Sequence, residues 1–195
     1  MADLIRRHSA LEAVYQQGLF PHQTASDAFC VTLQERHPLT MFDIGGNVSD
    51  KAFIAAIETA LACPLPKHPN TVIRNATQSL LWLSPTRWLC VESENKDKFL
   101  AEHMPAVKNV SSGRTVIRLA GRNVRDVLAK GCPLDMHANF FQVDHCAQSR
   151  IGGLNILVDH VDDHIFDLYV ARSFALTFWQ WLTEAATEYG YQVTD

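Results

Sequence analysis

Three groups of residues in this chain have the types and spacing to do chemistry. The first lies in GRNVRDVLAKGCPLDMH, residues 121–137, where a glycine follows an apolar run and Cys132 stands beside Pro133. A phosphate-cradling loop needs backbone N–H groups converging on a helix start, as in G-x-G-x-x-G or G-x-x-x-x-G-K-[ST]. Gly45-Gly46-Asn47 and Gly121-Arg122-Asn123 match neither pattern and offer only a tight turn and a cap. A nucleophilic Cys132 needs its thiolate stabilised by a histidine, a basic neighbour or a helix N-terminus. The spacing instead puts it just past a helix C-terminus, where the dipole disfavours a thiolate; Lys130 and His137 are the nearby groups that could offset this.

The second group is HVDDHIFD, residues 160–167, with two histidines and three acids. His160, Asp162 and His164 would share a face, as a metal requires, only if the strand ran on without turning. The Asp162-Asp163 pair argues for a turn, which predicts a solvated hairpin tip. Cys132, His137, His145 and Cys146 match no common zinc spacing. The third group is Trp82, Trp88, Trp179 and Trp181. Three fall on apolar stripes or strands and read as core, whereas Trp181 falls off its helical stripe and would suit a protein interface or the edge of this core.

The elements that must position these residues follow from periodicity. Residues 1–17 carry Leu4, Leu11, Val14 and Tyr15 at loosely helical spacing, an arm that must dock on this core or on a partner. VTLQE (31–35) and LTMFDIG (39–45) read as strands. A helix follows over 49–62, capped by Asn47 or Ser49, with Phe53, Ile54, Ile57 and Leu61 on one face. Strands are expected at 71–74, 79–84 and 87–92, the last two joined at Ser84-Pro85-Thr86, and a helix at 95–104. RTVIRLA (114–120) is a strand, 123–130 a short helix ended by a left-handed Gly131. Strands at 141–150, 153–159 and 165–171 precede a helix capped by Ser173, whose stripe is Ala175, Phe178, Trp179, Leu182, Ala186 and Tyr189.

FDIGGNVSDKAFIAAIETALACPLP and IRLAGRNVRDVLAKGCPLD share one plan: strand, glycine, Asn-Val, helix, Cys-Pro-Leu. The chain is expected to be α+β, two duplicated halves that are each an antiparallel sheet with helices packed on one face. The divisions are an N-terminal arm at 1–30 and halves at 31–107 and 108–195.

Composition narrows the classes further. The chain has 195 residues, 47% of them apolar, enough for a sizeable core. Seventeen Lys plus Arg against twenty-one Asp plus Glu give a net charge of −4, without the basic cluster that nucleic acid requires. The first twenty residues lack a secretory apolar core, and no apolar run approaches the roughly 20 residues that span a bilayer, so a cytoplasmic protein is expected. Five scattered cysteines, none in C-x-x-C, suggest small buried side chains and neither a disulfide framework nor a zinc ribbon.

HSALE (8–12), VTLQER (31–36), LWLSPTRWL (81–89), the VSSGRTVIRLAG and VLAKGCPLD segments within 110–135, FFQVDHCAQSRIG (140–152) and FDLYVARSFALTFWQWL (166–182) together carry a family likeness. Along nearly its whole length the chain resembles the gamma subunit of bacterial heterotetrameric sarcosine oxidase, itself similar to the folate-binding fold of the glycine-cleavage T-protein. The resemblance implies a complex that oxidises sarcosine to glycine, yields hydrogen peroxide and forms 5,10-methylenetetrahydrofolate. It implies partners in alpha, beta and delta subunits, and FAD, FMN, NAD and tetrahydrofolate held by subunits other than this one. No catalytic, cofactor-binding or metal residue is then expected here; Leu4, Leu11, Val14, Tyr15 and Trp181 are the candidates for a subunit interface. The T-protein family places an acidic residue after a glycine turn, where GGLNILVD (152–159) has Asn155 and Ile156. Lys130-Gly131-Cys132 echoes the K-G-C-x-x-G-Q-E signature of folate-binding iron–sulfur maintenance proteins, but the Gly-Gln-Glu is missing. The alternatives are a stand-alone folate-binding or aminomethyltransferase-like protein, and a metal enzyme built on 160–167.

Overall fold

Alternation of side chains along two sets of strands builds the molecule outward from a shared apolar seam. The computed structural model describes residues 8–20, 30–92 and 106–195. The helix expected at 95–104 and the interface candidate Leu4 lie outside them. In chain order the elements are β1 (Gly18–Phe20), β2 (Val31–Glu35), β3 (Thr40–Gly45), α1 (Lys51–Leu61), β4 (Val72–Arg74), β5 (Gln78–Ser84), β6 (Arg87–Glu92) and β7 (Val107–Asn109). Then follow β8 (Arg114–Ala120), α2 (Val124–Ala129), β9 (Cys146–Ile151), β10 (Leu154–Asp162), β11 (Ile165–Ala171), α3 (Ala175–Thr187) and β12 (Tyr191–Thr194).

The strands form a seven-stranded sheet, ordered β1-β12-β2-β8-β11-β10-β9, and a five-stranded sheet, ordered β4-β5-β6-β3-β7. Because successive strand residues point to opposite faces, each sheet contributes to two cores. Met41, Leu81, Leu89 and Val91 of the smaller sheet meet Val116, Leu157 and Tyr169 of the larger in a cluster between the sheets. The other faces are covered by helices: Phe42, Ile44, Trp88 and Cys90 pack with Ile54, Ile57 and Leu61 of α1, and Ile117, Leu119, Phe166 and Leu168 pack with α2 and α3. The result is an α+β arrangement of two face-to-face sheets, with α1 on the outer face of the smaller and α2 and α3 on that of the larger.

Only β4-β5-β6 and β9-β10-β11 pair in sequence order, and the other pairings join strands distant in the chain. β2 lies in the seven-stranded sheet between β8 and β12, while its neighbour in sequence, β3, lies in the other. The β2–β12 pair is parallel, so the larger sheet is mixed, not purely antiparallel as expected. Joining residues from opposite ends of the chain, this pair has no local turn to reveal it. The short strands β1, β7 and β12 carry too few residues for an alternation signal.

Several local expectations are corrected. Asp50, not Asn47 or Ser49, caps α1: its carboxylate accepts from the N–H groups of Ala52 and Phe53, each at 3.0 Å, while Asn47 accepts from Ser49. Such a cap contributes about 1 kcal/mol. Ser173 does not cap α3; it sits in a 3₁₀ turn, Arg172–Phe174, that feeds the helix through backbone bonds. Tyr189 falls past the last turn of α3, half-buried. Gly131 is absent from the positive-φ glycines. A Cβ there would lie 2.4 Å from Trp181 Cζ2 and 2.9 Å from the Gly152 nitrogen, so close packing is its reason. The run expected at 141–150 becomes strand only from Cys146, as Cys146–Ile151, because Asp144 takes a left-handed φ of 63° and Phe141 turns into the core.

The arm forms a single turn at Leu11–Tyr15 without a helix among the described residues. Leu11 is wholly buried, a burial that contributes roughly 2 kcal/mol. The Tyr15 hydroxyl accepts from the Glu35 N–H at 2.7 Å and donates to the Thr194 carbonyl, bridging β2 and β12.

Candidate functional site

The face of the seven-stranded sheet that looks toward the smaller sheet holds three rows of side chains, fixed by register. One row is Arg118, Asp167, Asp159 and Cys146; the middle row is Val116, Tyr169, Leu157 and Gln148. At the far end Arg114 lies opposite Ala171 and Arg150 opposite Asn155, while the Val170–Ile156 pairing sets Ala171 beside Asn155. An apolar belt therefore separates two polar ends.

The first end is internally neutralised. Asp167, 1% exposed, accepts from Arg118 Nε at 2.7 Å and Nη2 at 2.9 Å, and from Arg36 Nη1 at 2.8 Å. Asp159, with no exposure at all, is gripped by both terminal nitrogens of Arg74, whose Nε donates to Asp144 at 2.8 Å. Burial pushes the Asp159 carboxyl up to about 6, against the hydrogen bonds and charge of Arg74. The Arg74 guanidinium keeps its proton, its pKa raised overall by Asp159 and Asp144 despite desolvation. Two-pronged Arg–carboxylate contact fixes geometry as well as charge. A cleft of about 240 Å³ opens beside these groups, lined by Arg36, Arg74, Arg118 and Gln78.

The second end opens into a cleft of about 820 Å³ lined by Arg114, Arg150, Gln148 and Asn155, with Val110 and Pro133 as apolar wall. Asn155 and Ile156, where the T-protein likeness expects acids, diverge: Asn155 is exposed at the cleft, and Ile156 is buried in the core beneath the helices. A side-chain amide at that position can donate and accept hydrogen bonds but cannot take up a proton as a general base near neutral pH.

Four of the five thiols are held as core atoms, and Cys30 is only partly buried. Cys146 donates toward the Thr71 and Trp82 carbonyls, and burial pushes its pKa up to about 12. Burial also raises Cys90 and Cys63. Cys132 is buried behind the C-terminus of α2, 3.7 Å from the Ser149 hydroxyl. Lys130 turns away from it to the Ala185 carbonyl at 2.6 Å and Glu188 at 2.7 Å, and His137 accepts from the Asn139 N–H. Cys30 receives Arg122 Nε at 3.1 Å.

The segment 160–167 is a hairpin tip only at Asp162, Asp163 and His164, which are exposed. His160 and Asp167 are buried on opposite faces, a correction to the wholly solvated tip. His160 stacks on Phe166 at 4.4 Å, and Arg125 Nη2 reaches its Nε2 at 3.3 Å. Burial keeps this imidazole below its ordinary pKa, and the Arg125 charge acts in the same direction. Among the described residues no three His, Cys, Asp or Glu side chains gather as metal ligands.

Of the interface candidates, Leu11 belongs to this chain's own core, with Val14 and Tyr15 packed against it. Trp181 stacks on Phe178 at 6.1 Å between Gly131 and Gly152. The arginine rows were missed by a search for nucleophiles and metal ligands. Their signal was present: Arg114, Val116 and Arg118 alternate along one strand and share a face, as do Asp167, Tyr169 and Ala171.

Comparison with known proteins places this geometry. The family model for sarcosine oxidase, gamma subunit family, matches residues 45–188. The sarcosine oxidase subunit gamma of Corynebacterium sp. (strain P-1) is 25% identical over 142 residues, 69% of this chain and 70% of that protein. That of an Arthrobacter species is 27% identical over 144 residues, with 69% and 70% covered. A chain of the heterotetrameric sarcosine oxidase from Corynebacterium sp. U-96, solved in complex with pyrrole 2-carboxylate, has the same fold: TM-score 0.81, 23% identity, covering 94% of this chain and 96% of that one. The glycine cleavage system aminomethyltransferase T from Bartonella henselae shares the fold at TM-score 0.60 and 12% identity, covering 85% of this chain and 48% of that one.

Proposed function

Because this chain belongs to the sarcosine oxidase gamma subunit family, we propose that it is a non-catalytic structural subunit of a cytoplasmic, heterotetrameric sarcosine oxidase. Its partners are the alpha, beta and delta subunits. The complex oxidatively demethylates sarcosine to glycine, releasing hydrogen peroxide and forming 5,10-methylenetetrahydrofolate. FAD, FMN, NAD and tetrahydrofolate sit on the other subunits, and this chain supplies a rigid surface. One observation carries the reading: the buried carboxylates Asp159 and Asp167 are matched to arginines of the same chain. The Arg74–Asp159 pair ties the smaller sheet to the larger, and Asp167 ties Arg36 and Arg118 within the larger one, so both carboxylates are engaged in holding the fold. The division into an arm, residues 1–30, and duplicated halves, 31–107 and 108–195, is part of the same proposal. It is supported by β3–α1 and β8–α2, which both end in Cys-Pro-Leu corners.

Co-expression with the alpha, beta and delta chains tests the subunit role. The expected result is one co-purifying complex with sarcosine-dependent peroxide production that is lost when this chain is omitted. A solitary monomer, or calorimetric binding of tetrahydrofolate by the isolated chain, would point to the stand-alone folate protein instead.

A further inference from the structure

The open end of the inner face carries two arginines and, among the described residues, no carboxylate in its lining. Arg114, Ala171, Asn155 and Arg150 stand on four neighbouring strands. At about 4.8 Å per strand the two arginines are about 14 Å apart at their backbones, with two short side chains as the floor between them. Arg150 donates Nη2 to the Gly153 carbonyl at 2.8 Å, which fixes its direction and leaves its other N–H groups for a ligand. The Arg114 side chain makes no hydrogen bond or ion pair among the described residues. Desolvation lowers its pKa; Asp43 opposes this at longer range but is itself paired with Arg87. Among the described residues no Asp or Glu lines the cleft, in a chain whose net charge is −4. A half-buried guanidinium without an acceptor is unfavourable until one is supplied.

We propose that this cleft docks an acidic segment of a partner subunit, with one carboxylate held between Arg114 and Arg150 and the adjoining apolar side chain laid against Val110 and Pro133. The inference rests on the subunit role and names its contact. Charge complementarity selects the occupant: two guanidinium forks match carboxylate geometry, and Arg is enriched among residues that dominate interfaces. Small floor residues leave room for an inserted side chain, and the apolar wall matches the segment's neighbouring residue.

The test is assembly of the R114Q/R150Q double variant with the alpha, beta and delta chains, beside wild type. Loss of two charge-assisted contacts should weaken association about 100-fold and flatten its salt dependence, while the isolated variant melts no lower than wild type. R114K/R150K keeps charge but loses the forks, and should fall between the two. If wild type assembles and the double variant assembles with equal affinity and salt dependence, the docking site is wrong and the subunit role stands. If wild type does not assemble, the subunit role fails and the docking site fails with it. Micromolar binding of free succinate by the isolated chain would assign the cleft to a small carboxylate and overturn the docking site.

Discussion

Arg118 and Arg114 lie four residues apart on one strand and face the same way, yet their surroundings are opposite. Arg118 meets Asp167 through two nitrogens, with Arg36 completing the group. Arg114 faces an open cleft that no carboxylate of the described residues lines. What differs is the strand opposite: register gives Arg118 an aspartate and gives Arg114 an alanine. Charge on a sheet thus takes its role from the cross-strand partner. A paired arginine ties elements together, and an unpaired one is available to a second molecule.

The largest effect should come from breaking the paired end. Asp167→Asn leaves Arg36 and Arg118 facing a neutral amide, and unfolding in urea should show a loss of about 3 kcal/mol. A loss under about 1 kcal/mol would mean the two ends differ little in energy.

Acid sharpens the contrast next. The Asp159 carboxyl is raised from 3.8 to about 6 by burial, so the folded chain binds this proton more tightly than the unfolded chain. Its contribution to stability is therefore fully present below about pH 4 and falls as pH rises through about 6. Unfolding near pH 5 should release a proton that Asp159→Asn does not release, measurable as a difference in the pH dependence of the midpoint. Among the described residues no carboxylate lines the open end, which should add nothing to that window. An unchanged profile in Asp159→Asn would show that Arg74 holds the group ionised throughout.

The smallest effect belongs to the open end. Arg114→Gln removes a charge that has no acceptor, so the thermal midpoint of the isolated chain should stay the same or rise slightly, within about 0.5 kcal/mol. A clear fall would reveal that Arg114 already has a structural partner and remove the distinction between the ends.

Much of the frame was legible beforehand. The α1 stripe of Ile54, Ile57 and Leu61 and the α3 stripe of Phe178, Trp179 and Leu182 are buried where periodicity puts them. The hairpin at Ser84-Pro85-Thr86 joins β5 to β6 as its turn residues require. The twin Cys-Pro-Leu corners show where local reading stops. Leu65 is buried beneath α1, whereas its counterpart Leu134 is only partly buried beside α2 and α3. At the first corner Ala62 takes the left-handed cap usual for glycine; at the second, Gly131 is not left-handed and instead lets Trp181 approach. The pattern repeats, but the neighbour that each residue meets comes from distant sequence.

The family, the α+β class and the buried faces of the main helices were determined by the sequence alone, because side-chain periodicity and turn chemistry act over a few residues. Which sheet receives β2, which aspartate meets which arginine, and which arginine stays open were decided only in the tertiary structure. Those outcomes depend on register between strands far apart in the chain, and a shift of one residue would turn every side chain of a strand to its other face.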